Sequence, residues 1–277
     1  MTALGQFIGG TGRCGTSVLG IAFGTHPDVA YFGEPRFIND PGGLYDYLLG
    51  RVTSKQFREK MLREFYQILS IRVAPESWAS AYTWEAVRQV VDEEVTGQNR
   101  IGDGLRLLLA LFGLAGRDYW VEKTPHTVRY VDLLYRMFGD DLRYLHLIRE
   151  PKDILASLMH QKWGPKGTGN FCIWYNEIMG DARTAYGKTP QGCYAVVEME
   201  ELVRQPQNVL PWIFRFFEIP ADPDWLFDVI KTIRPADAHI GRCAADLSRR
   251  EQQEINDKCS PLYLWWKGKA TKWQESA

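Results

Sequence analysis

The sequence predicts an α/β fold in which a central parallel sheet is flanked by helices. Three observations predict it. Short apolar runs alternate with longer stretches of helical period. The runs are apolar at consecutive positions, as strands covered on both faces must be. A glycine-rich turn stands between the first run and the first helical stretch. With 277 residues, 45% of them hydrophobic, the chain can bury the core of one domain spanning 1–277.

The strand candidates are Gln6–Gly9, Val29–Phe32, Tyr119–Glu122, Arg143–Ile148 and Cys193–Val197. Between the first two, Thr16–Thr25 brings Val18, Leu19, Ala22 and Phe23 together on one helical face. Ser54 is expected to cap a helix striped by Phe57, Met61, Leu62, Phe65 and Ile68. Thr83 is the expected N-cap of a helix over Trp84–Val95. Thr124-Pro125 reads as a cap followed by proline at the first helical position, ahead of Val128, Val131, Leu134 and Phe138. Pro206–Phe217 is a further amphipathic helix. Residues from about 40 to 118 read as mainly helical and break the strand–helix rhythm, as an insertion over the site would.

Composition narrows the function. Lys and Arg total 33 against 34 Asp and Glu, a net charge of −1, so no global field draws the chain to nucleic acid or an acidic membrane. An anion site must be local. The ten Trp read first as large core residues. The five cysteines, Cys14, Cys172, Cys193, Cys243 and Cys259, are odd in number and form no CxxC, which fits free thiols in a reducing compartment. Histidines and cysteines show no zinc-ligand spacing, so no metal is expected. With an apolar run already from Leu4 to Ile8, no leader is expected, and no stretch of about 18 apolar residues lacks a charge. A cytoplasmic protein without a membrane span is expected.

Phe7-Ile8-Gly9-Gly10-Thr11-Gly12-Arg13-Cys14-Gly15-Thr16-Ser17 follows a strand and opens a helix. Glycines let successive backbone N–H groups converge, and the helix N-terminus adds partial positive charge. The spacing from Gly10 to Gly15 matches G-x-x-x-x-G-K-[ST], except that Thr16 stands where the lysine belongs. That lysine serves the β and γ phosphates in phosphoryl transfer. Its place is taken by Arg13, inside the loop, which suits a donor with a shorter phosphate chain.

A second anion site is expected where Arg149 follows the strand ending at Ile148, because ligands of open α/β sheets bind at the carboxyl ends of strands. Glu150-Pro151 turns the chain into a helix carrying Ser157. A guanidinium and a hydroxyl so placed can both bond a phosphate.

These two segments together resemble the donor-binding motifs of sulfotransferases that use 3′-phosphoadenosine 5′-phosphosulfate (PAPS). Arg13-Cys14-Gly15-Thr16-Ser17 is similar to the family's 5′-phosphosulfate loop, with Cys14 where Ser is usual, and closest in form to tyrosylprotein and bacterial sulfotransferases. Arg149 followed eight positions later by Ser157 resembles the 3′-phosphate motif. His26-Pro27-Asp28-Val29 with Gly33-Glu34-Pro35 resembles the segment that carries a catalytic glutamate, and Glu198–Pro220 resembles the usual downstream segment. The resemblance implies a P-loop NTPase-like sulfotransferase fold, PAPS as donor, adenosine 3′,5′-bisphosphate (PAP) as product and no metal. By the same resemblance, Gly12, Arg13, Cys14, Gly15, Thr16 and Ser17 would hold the 5′-phosphosulfate, and Arg149 and Ser157 the 3′-phosphate.

Glu34 is the chosen general base, since a carboxylate after the second strand needs only partial desolvation to accept a proton. Pairing with Arg36 is the alternative for its side chain. By resemblance, Lys123 stabilises charge on the leaving phosphate. His126 is a rival base, at a spacing that differs from the family's. Lys267-Gly268 resembles a late basic loop near the 3′-phosphate. Trp174 and Tyr175 face a helix side suited to core packing. The expected reaction moves a sulfuryl group to a hydroxyl or amine of a small molecule, lipid or glycan, with the 40–118 insertion and residues 163–171 shaping the acceptor side. A P-loop kinase of a small molecule and a non-catalytic nucleotide-binding protein are the alternatives. Thr16 weighs against the first, and so do Asp103 and Asp181, which stand in helical contexts; Glu34 and Lys123 weigh against the second.

Overall fold

The computed structural model describes residues 4–35, 37–70 and 82–272. Five strands, β1 (Gly5–Gly10), β2 (Val29–Gly33), β3 (Tyr119–Lys123), β4 (Leu142–Ile148) and β5 (Tyr194–Glu198), form one sheet in the order β2-β3-β1-β4-β5. Every neighbouring pair is parallel. The register sets Ile8 beside Lys123 on one side and Leu145 on the other, so the carboxyl ends of the central strands lie level. The chain first moves from β1 to one edge and later crosses to the other, which makes the space above β1 a topological switch point.

Alternation along each strand sends consecutive apolar residues to opposite faces. Phe7, Trp120 and Tyr144 enter a core with Phe32, Phe112 and Phe138, whereas Ile8, Val121 and Leu145 enter a second core with Leu19, Phe23 and Phe214. Trp120 lies 4.3 Å from the ring of Phe112 and 5.4 Å from that of Phe7 by centroid. Burying one such side chain contributes about 1.5–3 kcal/mol. Trp120 and Trp266 are fully buried, so part of the tryptophan richness is core.

One face is covered by α1 (Thr16–Gly24), α9 (Met199–Arg204), α10 (Pro206–Phe216) and α11 (Pro223–Thr232). The other carries α6 (Val131–Phe138), α7 (Pro151–Met159), α8 (Thr168–Tyr186) and α13 (Arg249–Lys267). Between β2 and β3 stand α2 (Leu44–Leu48), α3 (Ser54–Ser70), α4 (Trp84–Glu94) and α5 (Arg100–Gly113). A short α12 (Cys243–Asp246) precedes α13. Tyr175 is buried in the aromatic core and Trp174 packs against it.

One expected cap is corrected. Ser54 is already helical. Thr53 is the capping residue of α3: its Oγ1 accepts from Gln56 N at 3.2 Å while Gln56 Oε1 accepts from Thr53 N at 2.9 Å. That reciprocal pair satisfies two N-terminal groups, which the serine one position later cannot. Thr124 holds the N-cap position ahead of Pro125, as its sequence implies, but its hydroxyl turns to Glu122 and the helix it opens is a 3₁₀ turn over Pro125–Tyr130 that leads into α6. Thr83 caps α4 as its position implies, accepting from Ala86 N. Arg36 and the side chain of Ile68 lie outside the described residues. No helix among the described residues is long and apolar enough to cross a membrane.

Candidate active site

A cavity of about 450 Å³ opens at the carboxyl edge of the sheet. The loop after β1 supplies Gly12, Arg13 and Gly15, and α1 adds Thr16, Ser17 and Val18. Glu34 enters from the end of β2, Thr124 and His126 from beyond β3, Arg149 and Ser157 from beyond β4, and Met199 from beyond β5. All five strand ends therefore contribute.

The glycine loop is built for close approach. Gly15 caps α1 with φ 94°, where an added Cβ would fall 2.4 Å from Met199 Cγ. Only glycine fits both the left-handed backbone and that contact. The first turn of α1 carries no acidic residue and Gly15 offers no capping side chain, so the helix dipole is not answered locally. Among the described residues, four that are not glycine have positive φ; three of them, Arg13 (56°), Glu34 (58°) and His239 (49°), line this cavity. Backbone held in this sparsely populated region clusters at functional sites.

The two expected anion sites meet. Arg13 Nε donates to Ser157 Oγ at 2.9 Å. Arg149 Nη1 donates to Arg13 O at 3.0 Å, and its Nη2 donates to Ala238 O at 2.8 Å and His239 O at 3.1 Å. Arg149 Nε is buried without a protein partner. The guanidinium thus ties the glycine loop to the segment before α12, and burial pulls its pKa below the usual arginine value.

Lys123 does not itself line the cavity; its Nζ lies 2.5 Å from Oε1 of Glu34, which does. The lysine side chain is 7% exposed and the glutamate side chain 58%, so a buried ammonium holds a solvent-facing carboxylate. Glu34 N also donates to Lys123 O at 2.7 Å, fastening the two strand ends together. His126 Nε2 lies 3.2 Å from Thr11 O. A carbonyl only accepts, so Nε2 carries the proton and Nδ1 keeps its lone pair. Burial lowers the pKa of this ring and keeps it neutral.

Some expected residues are not brought together with these. Cys14 is fully buried among core residues beneath the loop, and its thiol does not line the cavity. Burial raises its pKa, which keeps it a thiol. Its side chain is a packing group where a donor was expected. Lys267 and Gly268 do not line the cavity either. Lys267 pairs with Glu198 Oε2 at 3.0 Å, and Gly268, at φ −66°, ends α13 in ordinary helical backbone. Asp40 and Trp163, which line the cavity, open the 40–118 and 163–171 stretches expected on the acceptor side, whereas Asn39, Ala238 and His239 line it with no comparable signal in the sequence. No group of three or more His, Cys, Asp or Glu among the described residues is placed to hold a metal ion.

A parallel sheet with an arginine-bearing glycine loop at its switch point, joined to a second arginine at the next strand end, defines an α/β protein with two guanidiniums at one carboxyl-edge cavity. The sulfotransferase family model matches residues 6–223, and the chain belongs to that family. Among solved structures, the sulfotransferase domain from the curacin biosynthetic pathway is 17% identical with a TM-score of 0.53, covering 100% of this chain and 95% of that one. The sulfotransferase domain from the Synechococcus PCC 7002 olefin synthase is also 17% identical, with a TM-score of 0.51 over 99% of this chain and 89% of its own. Sulfotransferase STF1 from Mycobacterium tuberculosis is 16% identical, with a TM-score of 0.51 over 93% and 76%. At these identities the likeness is one of fold. No curated protein matches the chain.

Proposed function

We propose that the chain transfers a sulfuryl group from PAPS to a hydroxyl or amine of a small molecule, lipid or glycan. The observation that carries this reading is the bond from Arg13 to Ser157, which unites the glycine loop and the Arg149 segment around one cavity. The cavity volume lies in the range used by small-ligand sites. Membership of the sulfotransferase family supports sulfuryl rather than phosphoryl chemistry.

The residues present fit such a donor. Arg13, the N–H groups of Gly15, Thr16 and Ser17, and the α1 dipole would neutralise its 5′ end. Arg149, through the buried Nε that lacks a partner, and Ser157 would take its 3′-phosphate. Glu34 accepts the acceptor's proton as the acceptor atom bonds to sulfur and the bond from sulfur to the 5′-phosphate oxygen breaks. Protonation removes the charge that holds Lys123, whose ammonium then answers the charge gained by the leaving phosphate. Neutral His126 orients the loop through Thr11 O. Asn39 and Asp40, ahead of the helices between β2 and β3, and Trp163 line the cavity and would form the acceptor side.

Calorimetric titration with PAP against ADP tests the donor. Micromolar binding of PAP with much weaker binding of ADP is expected, and preference for ADP would remove the reading. Screening hydroxyl and amine acceptors with labelled PAPS then identifies the acceptor class.

A further inference from the structure

Directly before Lys123 in β3 stands Glu122, a carboxyl with no exposed surface. Its Oε1 accepts from the hydroxyl of Thr124, a residue that lines the cavity. Its Oε2 is buried without a partner. A buried carboxylate normally needs both oxygens bonded and a cation in contact. The adjacent cation, Lys123, bonds Glu34 instead. The groups facing Glu122 from neighbouring elements are Glu34 beyond β2, Tyr31 of β2, Tyr45 of α2 and Tyr144 of β4. Of these, one is a like charge and three are neutral phenols. Burial pushes the carboxyl up to about 8, with the Thr124 hydrogen bond and the Lys123 charge offsetting only part of the rise.

We propose that Glu122 is a positioning residue that keeps its proton in the working enzyme, so that Lys123 has a single carboxylate partner, Glu34, and Thr124 is held at the cavity wall. This rests on the reading of Glu34 as base. Lys123 points to the opposite sheet face from Glu122, so an ionised Glu122 would act on its ammonium through space, weakening its hold on Glu34, whose side chain is already 58% exposed. The device makes the base–lysine pair sensitive to alkali through Glu122.

Infrared difference spectra of the purified chain read the carbonyl stretch of a buried protonated carboxyl without donor or acceptor. The wild type is expected to show that band at neutral pH and to lose it as pH rises through about 8. Glu122→Gln removes the band and Glu34→Gln leaves it. Thr124→Val, which deletes the bonded hydroxyl, shifts its frequency and serves if Glu122→Gln does not fold. Absence of the band from the neutral wild-type spectrum, or its survival in Glu122→Gln, overturns the proposal. In a second arm, sulfuryl release from labelled PAPS falls at alkaline pH in the wild type, while Glu122→Gln keeps the neutral rate within about twofold and loses the alkaline fall. An unchanged alkaline fall in Glu122→Gln removes the positioning role. Wild-type inactivity toward PAPS refutes the proposed donor instead, and the infrared band still decides whether Glu122 holds its proton.

Discussion

Arg13 Nε and Ser157 Oγ are 2.9 Å apart although 144 positions separate them in the chain. The bond crosses from the loop after β1 to the helix after β4, and Arg149 braces it by donating to Arg13 O. The guanidinium of Arg13 is therefore held by its own chain, which under the proposed function reduces the ordering cost of binding.

That geometry predicts a graded loss of donor affinity. Arg13→Ala should weaken PAP binding by about a hundredfold, since a charge-assisted contact is worth about 1.5–3 kcal/mol. Ser157→Ala should weaken it by about tenfold, by releasing the guanidinium and deleting one hydroxyl. Calorimetry on the two variants and the double variant checks this. Coupling is expected because the residues touch.

Turnover should separate from binding at Glu34. Glu34→Gln keeps the fold and PAP affinity but lowers kcat by about a hundredfold or more, the usual contribution of a positioned base. Lys123→Ala should lower kcat as well and should also destabilise the join between β2 and β3, seen as a lower Tm. His126→Asn retains a donor for Thr11 O and should retain most activity. If His126→Asn loses turnover and Glu34→Gln does not, the two residues exchange roles.

Gly15→Ala tests the loop. It forces a side chain into φ 94° and against Met199, so loss of PAP binding with a lower Tm is expected. Adding Met199→Ala removes the clash but not the backbone penalty of about 1 kcal/mol, so recovery of Tm should be partial.

Acid stability should depend on His146. The ring is fully buried, with Nδ1 bonded to Tyr194 Oη at 3.0 Å and Nε2 without a partner. Burial depresses its pKa from 6.5 to about 3. The folded state favours the neutral ring, so this contribution is complete above the unfolded value of 6.5 and is lost as pH falls toward 3. A Tm that declines across that window, and declines less in His146→Phe, is the expected outcome by scanning calorimetry.

Much of the architecture was legible in local pattern. Consecutive apolar residues such as Trp120-Val121 and Tyr144-Leu145 require a strand with two buried faces, and period plus capping chemistry located α1, α4 and α10. The glycine loop and the spacing of Arg149 and Ser157 marked two segments that the structure brings to one cavity, because backbone turn chemistry and helix period are encoded within a few residues. Errors arose where a side chain had a choice of partners. The Thr124 hydroxyl bonded Glu122 instead of the helix N-terminus, Lys267 bonded Glu198 instead of reaching the cavity, and Cys14 turned into the core.

The sequence alone determined that five apolar strands alternate with helices and that cations and glycines stand at two strand ends, because these are properties of neighbouring residues. Tertiary structure decided which of those groups share one cavity. Strand order and register brought Lys123 to Glu34 and Arg13 to Ser157, and burial, a quantity defined only once the sheet is covered, placed Glu122 where its charge is costly.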